Sequence, residues 1–466
     1  MKKYKNYQAI KSIASGSSIA IGGYGPLGVP QSLIDALAKT NAKDLTLYTS
    51  SVGKETYGIT PLLKAKQVKN VVTSNIEDNE VLLDLYKKGE ISVNVTPMGT
   101  LAEKLRSGGM GIPAFYTHCG VGTVFQNGGL PVKLNKKGKI EDYSEAKESR
   151  DFDGKHYILE KTILADYSFV KAWKADKLGN CYFKMCGQNF NSDVGPAGKI
   201  CIVEADEIVE PGQIDGDDVH LSGVFVHRVI KSENKSNPVA VPVKECNLLL
   251  QGPSKEKRIK ILKRAAKEIQ KNWTVYLGNG FSRLAYQYAN KEADYFTETG
   301  LIGANYADLS KADGSTMDGD YNIVGVKKNS SIAKSSDTFS AIRGGHLDLI
   351  IAEAYQVSQK GDLANWAKGN GMESPLAIID QVNSGIPLLA IMEHVNSEGK
   401  SNLVFECSLK LTGRNCVSGI ITDKGVFRMI KDKLTLVEIA SDMTVEALKS
   451  MTEAEFTVAP YLKKME

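Results

Sequence analysis

Short apolar runs alternate along this chain with stretches in which apolar residues recur at helical spacing. SSIAIGG (17–23), DLTLYTS (44–50) and KNVVTS (69–74) predict buried strands. PQSLIDALAKT (30–40) and NEVLLDLYKKG (79–89) place apolar residues three and four positions apart and predict helices. Alternation of this kind is typical of α/β units built on a largely parallel sheet.

A polar stretch that contains proline interrupts this alternation near the middle of the chain. KSENKSNPVAVPVK (231–244) is typical of a linker, and residues 254–273 then predict a basic amphipathic helix with a solvated charged face. Residues 274–290 repeat the strand, glycine turn and helix layout of residues 18–37. The repeat predicts two related open α/β domains with an active site at their interface, where ligand clefts commonly form. The expected boundaries are 1–235 for the first domain, 236–253 for the linker and 254–466 for the second domain.

Composition and charge narrow the class of protein. The 466 residues are 42% hydrophobic, which suits a globular protein of two or three domains. The formal net charge is +4 and no basic block is present, so we expect no nucleic-acid partner. No run approaches the ~20 apolar residues of a membrane span, and the amino terminus lacks the apolar core of a secretory signal. We therefore expect a cytoplasmic protein with no membrane partner.

The cysteines favour neither disulfides nor a metal site. Their number, 7, is odd, and they are scattered from Cys119 to Cys416. The closest pair, Cys181 and Cys186, lacks a second pair or a histidine at zinc-site spacing. We expect reduced thiols and no metal.

One acidic residue has a position that suits covalent chemistry. FTETGLIG (296–303) sets Glu298 between an apolar run and a glycine turn. A carboxylate at the end of a strand is held on rigid backbone and can attack an activated acyl carbon in a cleft. A glutamate beside a turn is more often a solvated surface residue. A later segment, AIRGGHLDLIIAEAYQVSQKGDLANW (341–366), favours the chemical interpretation because of what it resembles.

Together, these two segments closely resemble the carboxyl-terminal half of family I coenzyme A transferases. Four earlier segments are similar, in the same order, to the first half of the 3-oxoacid (succinyl-CoA type) transferases. They are IGGYGPLGVPQSLIDAL (21–37), GTLAEKLRSGGMGIPAFYTHCGVGT (99–123), FVKAWKADKLGN (169–180) and GQNFN (187–191). The family occurs as separate subunits or as one fused chain, and this sequence resembles the fused form, with an alpha-subunit-like first domain and a beta-subunit-like second domain.

The resemblance implies that Glu298 is the nucleophile of a ping-pong reaction that passes through a glutamyl-CoA thioester. Coenzyme A would then be a substrate and a covalent intermediate, with no permanently bound cofactor. An acyl-CoA and a carboxylic acid are the implied partners, and the family forms homodimers. Arg343 would neutralise a substrate anion or, in the favoured interpretation, form a structural ion pair.

Glycine-rich loops are the implied binding sites for coenzyme A and substrate, because small residues permit close backbone approach and helix amino termini offer N–H groups. The candidates are Gly22, Gly23 and Gly25 in the first half, Gly278, Asn279, Gly280, Phe281 and Ser282 at the start of the second, and Gly369 and Gly371 further on.

The first glycine loop also has a rival interpretation. Gly23, Gly25 and Gly28 formally fit G-x-G-x-x-G, and Asp44 follows at about the ~20-residue distance of a dinucleotide-binding dehydrogenase. Pro26 removes a backbone N–H donor that would face a pyrophosphate, which disfavours this alternative.

The chain departs from the family pattern around the implied acyl pocket. Thr299 stands where the family usually has an asparagine after the nucleophile, Ser50 and Ser51 replace amides, and Met98 replaces a glutamine. KGNGMESP (368–375) replaces a more glycine-rich loop. We take Ser51, Met98 and Thr299 as acyl-pocket candidates. A less polar pocket would shift the acid partner from succinate or acetoacetate towards a short monocarboxylate.

Two other functions remain open at this point. An acyl-CoA hydrolase could use the same glutamate with water as the acceptor. A catalytically silent relative would bind coenzyme A or an acid without turnover, although the presence of Glu298 argues against it.

Overall fold

Each half of the chain forms one large β-sheet. The structure, a computed structural model, describes residues 2–4, 6–233, 250–289, 291–306, 308–309, 312, 314–369 and 372–465. The strands of the first large sheet lie before residue 232, and those of the second lie after residue 273. Most of the expected linker falls outside the described residues, so the domain boundaries stay a prediction.

The first large sheet is the parallel sheet that the sequence predicts. The strands of this half are β1 (Ser18–Ile21), β2 (Leu45–Ser51), β3 (Val68–Asn75), β4 (Ser92–Val95), β5 (Ala114–Thr117), β6 (Pro131–Leu134), β7 (Ile140–Tyr143), β8 (Ser149–Phe152), β9 (Lys155–Lys161), β10 (Ala165–Asp176), β11 (Cys181–Tyr182), β12 (Gly198–Val209) and β13 (Arg228–Lys231). The sheet order is β13-β12-β10-β1-β2-β3-β4, all neighbours are parallel, and β11 adds an antiparallel pair to β10. Ile19, Ala20 and Ile21 are all buried because helices cover both faces, which is why β1 is an unbroken apolar run.

The helices of the first half confirm the two predicted from helical spacing, at 31–38 and 80–87. Asn79 caps the second of these, since its side chain accepts a hydrogen bond from the N–H of Leu82. The α-helices are α1 (Asn6–Ile10), α2 (Gln31–Ala38), α3 (Thr60–Lys64), α4 (Glu80–Lys87), α5 (Met98–Gly109), α6 (Val124–Asn127) and α7 (Asn191–Val194), and short 3-10 helices span Met185–Gln188, Gly216–Asp218 and Gly223–Phe225.

The second large sheet is mixed. The strands of this half are β14 (Thr274–Leu277), β15 (Asp294–Phe296), β16 (Leu301–Asn305), β17 (Gly325–Ile332), β18 (Leu349–Glu353), β19 (Gln356–Ser358), β20 (Leu363–Ala364), β21 (Leu388–Ile391), β22 (Leu403–Val404), β23 (Gly419–Ile421), β24 (Gly425–Ile430), β25 (Lys433–Ala440) and β26 (Thr457–Met465). The sheet order is β17-β16-β15-β14-β18-β21-β23-β24-β25-β26. The central pairs from β15 to β23 are parallel, antiparallel pairs flank them on both sides, and β26 runs parallel to β25 at one edge. The predicted parallel character therefore holds for the centre of the sheet.

One helix prediction in this half needs correction, since the basic helix ends at Ala266 rather than near 273. The helix that the repeat predicted after β14 is present as a 3-10 helix (Gly280–Gln287). The hydroxyl of Ser282 bonds the carbonyls of Gly278 and Asn279, and this side-chain competition for backbone acceptors disfavours a regular α-helical turn. The α-helices are α8 (Lys255–Ala266), α9 (Ser335–Arg343), α10 (Ile378–Gln381) and α11 (Val445–Ser450). Among the described residues, no helix is long and apolar enough to cross a membrane.

Main-chain groups carry much of the contact between the two halves. Three hydrogen bonds between described residues join backbone to backbone, and three join a backbone N–H to a side chain of the other half. They run from Met98 N to Leu376 O (3.1 Å), Cys186 N to Ser315 O (3.1 Å), Ser335 N to Asn189 O (3.0 Å), Gly99 N to Asp380 Oδ2 (2.7 Å), Ser336 N to Asp193 Oδ2 (2.8 Å) and Ile76 N to Ser374 Oγ (2.9 Å). An ion pair between Arg343 and Glu103, 3.2 Å long, adds to them and matches the structural interpretation of this arginine.

Candidate active site

Glu298 lies in the tight turn between β15 and β16. The N–H of Thr297 donates to the carbonyl of Leu301 at 2.9 Å and closes the turn. Gly300 has a φ of 100°, and a Cβ there would lie 2.0 Å from the carbonyl oxygen of Ala333, so glycine is required. The turn directs the glutamate inward, and its side chain is only 1% exposed.

Two neighbours enclose the Glu298 carboxylate. The hydroxyl of Tyr276, on β14, donates a hydrogen bond to Oε1. On another side lies Gly319, where a Cβ would approach Oε1 to 2.3 Å and the carboxyl carbon to 2.4 Å. The carboxylate is thus held by a strand hydroxyl and packed against a residue that has to lack a side chain.

Burial changes the acidity of this group. Desolvation raises the pKa of Glu298 to about 7, while the charge of Arg283 and the Tyr276 hydrogen bond counteract part of the rise. The ionised form of Glu298 is therefore accessible near neutral pH. A carboxylate stripped of water in this way suits attack on an acyl carbon better than a solvated one.

Arg283 is a buried cation that the sequence analysis did not single out. Its guanidinium is 1% exposed, pairs with Asp318 at 2.7 Å and Asp320 at 2.8 Å, and donates to Asn279 Oδ1 at 3.0 Å. These contacts tie the second glycine loop to the turn that packs on Glu298. An arginine inside GNGFSRLA and two aspartates inside DGD were the available signals, but nothing in the sequence pairs them.

The second glycine loop contributes backbone rather than side chains to the site. Gly278, Asn279 and Gly280 line a cavity of about 160 Å³ next to Tyr276. Phe281 and Ser282 are buried, and the serine hydroxyl bonds the carbonyl of Gly278. The rest of the cavity is lined by Ala352, Glu353, Tyr355, Asn365, Trp366 and residues 374–378.

The N–H groups of this loop are occupied by carboxylates in the structure. Phe281 N donates to Glu353 Oε2 at 3.1 Å, and Gly280 N donates to Asp320 Oδ2 at 3.3 Å. A Cβ at Gly280 would lie 2.2 Å from Glu353 Oε2, so its lack of a side chain serves this contact. A ligand that takes these donors would replace the carboxylates.

The first glycine loop packs against protein groups. A Cβ at Gly22 would lie 2.0 Å from Asn191 Oδ1, and one at Gly25 would lie 2.1 Å from the ring of Tyr321. The carbonyl of Gly23 accepts a hydrogen bond from Ser50 at 2.7 Å. These contacts fill the space that a pyrophosphate would need and argue against the dehydrogenase alternative.

The structure places the acyl-pocket candidates in different surroundings. Met98 is buried, and its N–H bonds the carbonyl of Leu376, a residue that lines the cavity. The Thr299 hydroxyl donates to the carbonyl of Met317, so it is committed to the fold. Ser51 donates to the carboxylate of Glu77.

The last two glycine candidates lie on a loop at the surface. Gly369 is exposed, and its N–H donates to Glu373 Oε2 at 3.4 Å. Gly371 lies outside the described residues. No cluster of metal-ligating side chains occurs among the residues that the structure describes.

Residues from both halves line a larger cleft of about 640 Å³. Gly28, Tyr57, Lys171 and Trp173 line it from the first half, and Met317 lines it from the second. Lys171 is paired with Glu204 at 3.0 Å and Asp206 at 2.7 Å.

Comparison with known proteins adds evidence of a different kind. The chain matches the family model described as coenzyme A transferase over residues 6–232 and 258–450. It is 35% identical over 472 residues to the human mitochondrial succinyl-CoA:3-ketoacid coenzyme A transferase 2, covering 98% of this chain and 90% of the human one. The mouse mitochondrial succinyl-CoA:3-ketoacid coenzyme A transferase 2A is 37% identical over 470 residues, 98% of this chain and 90% of the mouse one.

A solved structure shares the fold. The apoenzyme of an acyl-CoA transferase from Escherichia coli O157:H7 superposes with a TM-score of 0.78 at 19% sequence identity, covering 100% of this chain and 95% of that chain.

Proposed function

Because this chain belongs to the coenzyme A transferase family, we propose that it moves coenzyme A from a short-chain acyl-CoA to a carboxylic acid through Glu298. The observation that carries the proposal is the 1% exposed Glu298 carboxylate, held by Tyr276 beside a cavity at the second glycine loop. The reaction is nearly thermoneutral, so the enzyme has only to lower the barriers.

The chemistry needs a group that acts first as nucleophile and then as acyl carrier. A Glu298 oxygen forms a bond to the donor acyl carbon as the C–S bond breaks, which gives a mixed anhydride and the coenzyme A thiolate. The thiolate then attacks the glutamyl carbonyl and displaces the donor carboxylate, leaving a glutamyl-CoA thioester. The acceptor carboxylate attacks that thioester, and the released thiolate takes the acceptor acyl group and frees Glu298.

Tyr276 and the buried site have separate parts in this sequence. When the glutamyl carbonyl becomes tetrahedral, its oxygen carries negative charge, and the Tyr276 hydroxyl is in place to donate to it. One such donor is worth about 3 kcal/mol of transition-state stabilisation. Exclusion of water protects the anhydride and the thioester from hydrolysis, which favours transfer over an acyl-CoA hydrolase.

The homodimer and the acyl-CoA and free-acid partners are what the family implies. The cytoplasmic location remains an expectation from the sequence alone. The human relative is mitochondrial by its name, so fractionation of the native host is the appropriate test of location.

The test is intact-protein mass spectrometry after exposure to acetyl-, butyryl-, acetoacetyl- and succinyl-CoA without an acceptor acid. We expect a coenzyme A adduct that peptide mapping places on Glu298. Glu298→Gln should form none, while Glu353→Gln, a second glutamate beside the cavity, should still carry the adduct on Glu298. Release of free coenzyme A without any adduct would instead indicate a hydrolase.

A further inference from the structure

A second buried carboxylate, that of Glu77, lies on the loop that follows β3. Its Oε1 accepts one hydrogen bond from Ser51 and another, 2.8 Å long, from Tyr321. Its Oε2 accepts a hydrogen bond from Tyr57. Tyr321 belongs to the second half of the chain, so the cluster spans both halves. The residue itself is 9% exposed.

The backbone around this cluster adopts a conformation that side chains rarely favour. Glu77 and Asp78 both have a φ of 52°, and Tyr321 has a φ of 66°. Non-glycine residues in the left-handed region persist only where the surrounding structure determines them, and they concentrate at functional sites. Two such segments meet here through the hydrogen bond between Tyr321 and Glu77.

The cluster adjoins both cavities through its neighbours. Tyr57, which donates to Glu77, lines the larger cleft. The N–H of Ile76, next to Glu77, bonds Ser374, which lines the cavity at the second glycine loop, and Tyr321 is two residues from Gly319, which packs on the Glu298 carboxylate. A substrate group that reaches Tyr57 in the larger cleft therefore approaches the wall formed by Ser51, Tyr57, Glu77 and Tyr321.

The hydrogen bonds fix the polarity of this wall. Ser51, Tyr57 and Tyr321 each point their hydroxyl proton at Glu77, so none of these three hydroxyls has a proton left to donate to a ligand. No ion pair between described residues includes Glu77. Burial raises the pKa of this carboxyl group, and the tyrosine hydroxyls and the charge of Lys54 counteract the rise.

We propose that Glu77 is a specificity-determining residue that excludes acyl groups bearing a second carboxylate, so that the acids used are monocarboxylic. The proposal rests on the proposed coenzyme A transfer and names its substrate class. A substrate carboxylate at this wall would meet a negative charge and acceptor atoms, without a hydroxyl proton to bind. Desolvated like charges disfavour each other strongly, and a site rejects a ligand whose polar group it leaves unpaired.

The test compares kcat/KM for butyryl-CoA and succinyl-CoA, with acetate as acceptor, in the full-length protein. We expect a preference for butyryl-CoA of roughly 100-fold or more. Glu77→Gln, which removes the charge, should raise kcat/KM for succinyl-CoA by about tenfold and leave that for butyryl-CoA within about threefold. Equal use of both donors by the unmodified protein, or an unchanged ratio in Glu77→Gln, would overturn the proposal.

Two further variants separate selection from folding. Asp78→Asn is the matched control, because it removes a neighbouring exposed charge with the same φ and should leave the ratio unchanged. Glu77→Gly removes the carboxylate while accepting the left-handed backbone, so it should relax selection even if Glu77→Gln folds poorly.

Binding without turnover distinguishes this proposal from the reaction itself. Unreactive thioether analogues of butyryl-CoA and succinyl-CoA, titrated by calorimetry, should bind with the same preference and the same relaxation in Glu77→Gln. If neither thioester reacts but the analogues show this pattern, the transfer proposal fails and the selection by Glu77 stands. If the analogues bind equally well, the selection fails.

Discussion

Tyr276 and Glu298 approach each other from neighbouring strands of one sheet. Tyr276 pairs in register with Phe296 on β15, and Glu298 follows two residues later, so the tyrosine hydroxyl reaches the carboxylate across the strand pair. Tyr276 starts from paired strand backbone, and Glu298 starts from the tight turn that the Thr297–Leu301 hydrogen bond closes, so the strands and their turn together position the hydrogen bond. The proposed nucleophile is thus preorganised before substrate arrives.

Tyr276→Phe should lower kcat about 100-fold, because the variant loses the donor to the glutamyl oxygen while it keeps the ring. The hydroxyl also lowers the pKa of Glu298, so the acid limb of the pH–rate profile should move to higher pH. Steady-state kinetics across the neutral range measure both effects. A profile and rate indistinguishable from those of the native chain would remove Tyr276 from the mechanism.

Glu298 should make stability depend on pH. Its pKa in the folded protein, about 7, is above the ordinary value of 4.5, so the folded state binds the proton more tightly than the unfolded chain. The stability that this proton provides is full below about pH 4.5 and is lost as the pH rises through 7. The free energy of unfolding of Glu298→Gln, relative to that of the native chain, should therefore rise by about 2–3 kcal/mol between about pH 5 and pH 8.

Urea unfolding at the two pH values measures this difference. A difference between Glu298→Gln and the native chain that stays constant from pH 5 to pH 8 would mean that Glu298 is not the perturbed group.

Arg283→Leu should destabilise the fold by about 3–5 kcal/mol, since it leaves Asp318 and Asp320 as unpaired charges, one of them fully buried. The triple variant with Asp318→Asn and Asp320→Asn should recover most of that loss. Arg283 also lowers the pKa of Glu298. Because Asp320 raises that pKa, the acid limb of the triple variant is compared with that of the Asp318→Asn, Asp320→Asn double variant, and coincidence of the two limbs would mean that the arginine only supports the fold.

Gly319→Ala should reduce kcat by about 100-fold with little loss of structure, because the added methyl group would displace the Glu298 carboxylate. Gly216→Ala is the matched control, as nothing lies within 4 Å of a Cβ there. Circular dichroism checks the fold, and the mass of the coenzyme A adduct checks the nucleophile. Normal adduct formation in Gly319→Ala would contradict the prediction, because it would mean that the turn moves to accommodate the methyl group.

The sequence predicted the helices and strands that depend on interactions between residues close together along the chain. The apolar runs at β1, β2 and β3 and the spacing in α2 and α4 match the structure within about two residues. The position of Glu298 after an apolar run and before a glycine also followed from the sequence. At residues 280–287 the predicted helix is a 3-10 helix, in which the Ser282 hydroxyl bonds the backbone. The prediction failed at the end of the basic helix, which stops at Ala266 rather than near 273.

The side-chain clusters around Glu298 depend on contacts between residues that are far apart in the sequence. Arg283 meets Asp318 and Asp320 only after the sheet has formed, and Glu77 meets Tyr321 across 244 residues of chain. Glutamate is not a residue type that favours a left-handed backbone, so the sequence does not predict this conformation at Glu77. The sequence therefore singled out Glu298 and missed the charged groups that surround it.

The hydrogen bonds between the halves have a consequence for how this protein can evolve. A main-chain N–H or carbonyl is present whichever amino acid occupies the position, proline apart for the N–H. The bonds from Met98 to Leu376 and from Ser335 to Asn189 therefore survive most substitutions at all four positions. Each half can drift in sequence while the other half still recognises it, which suits a family in which one fused chain corresponds to two separately encoded polypeptides.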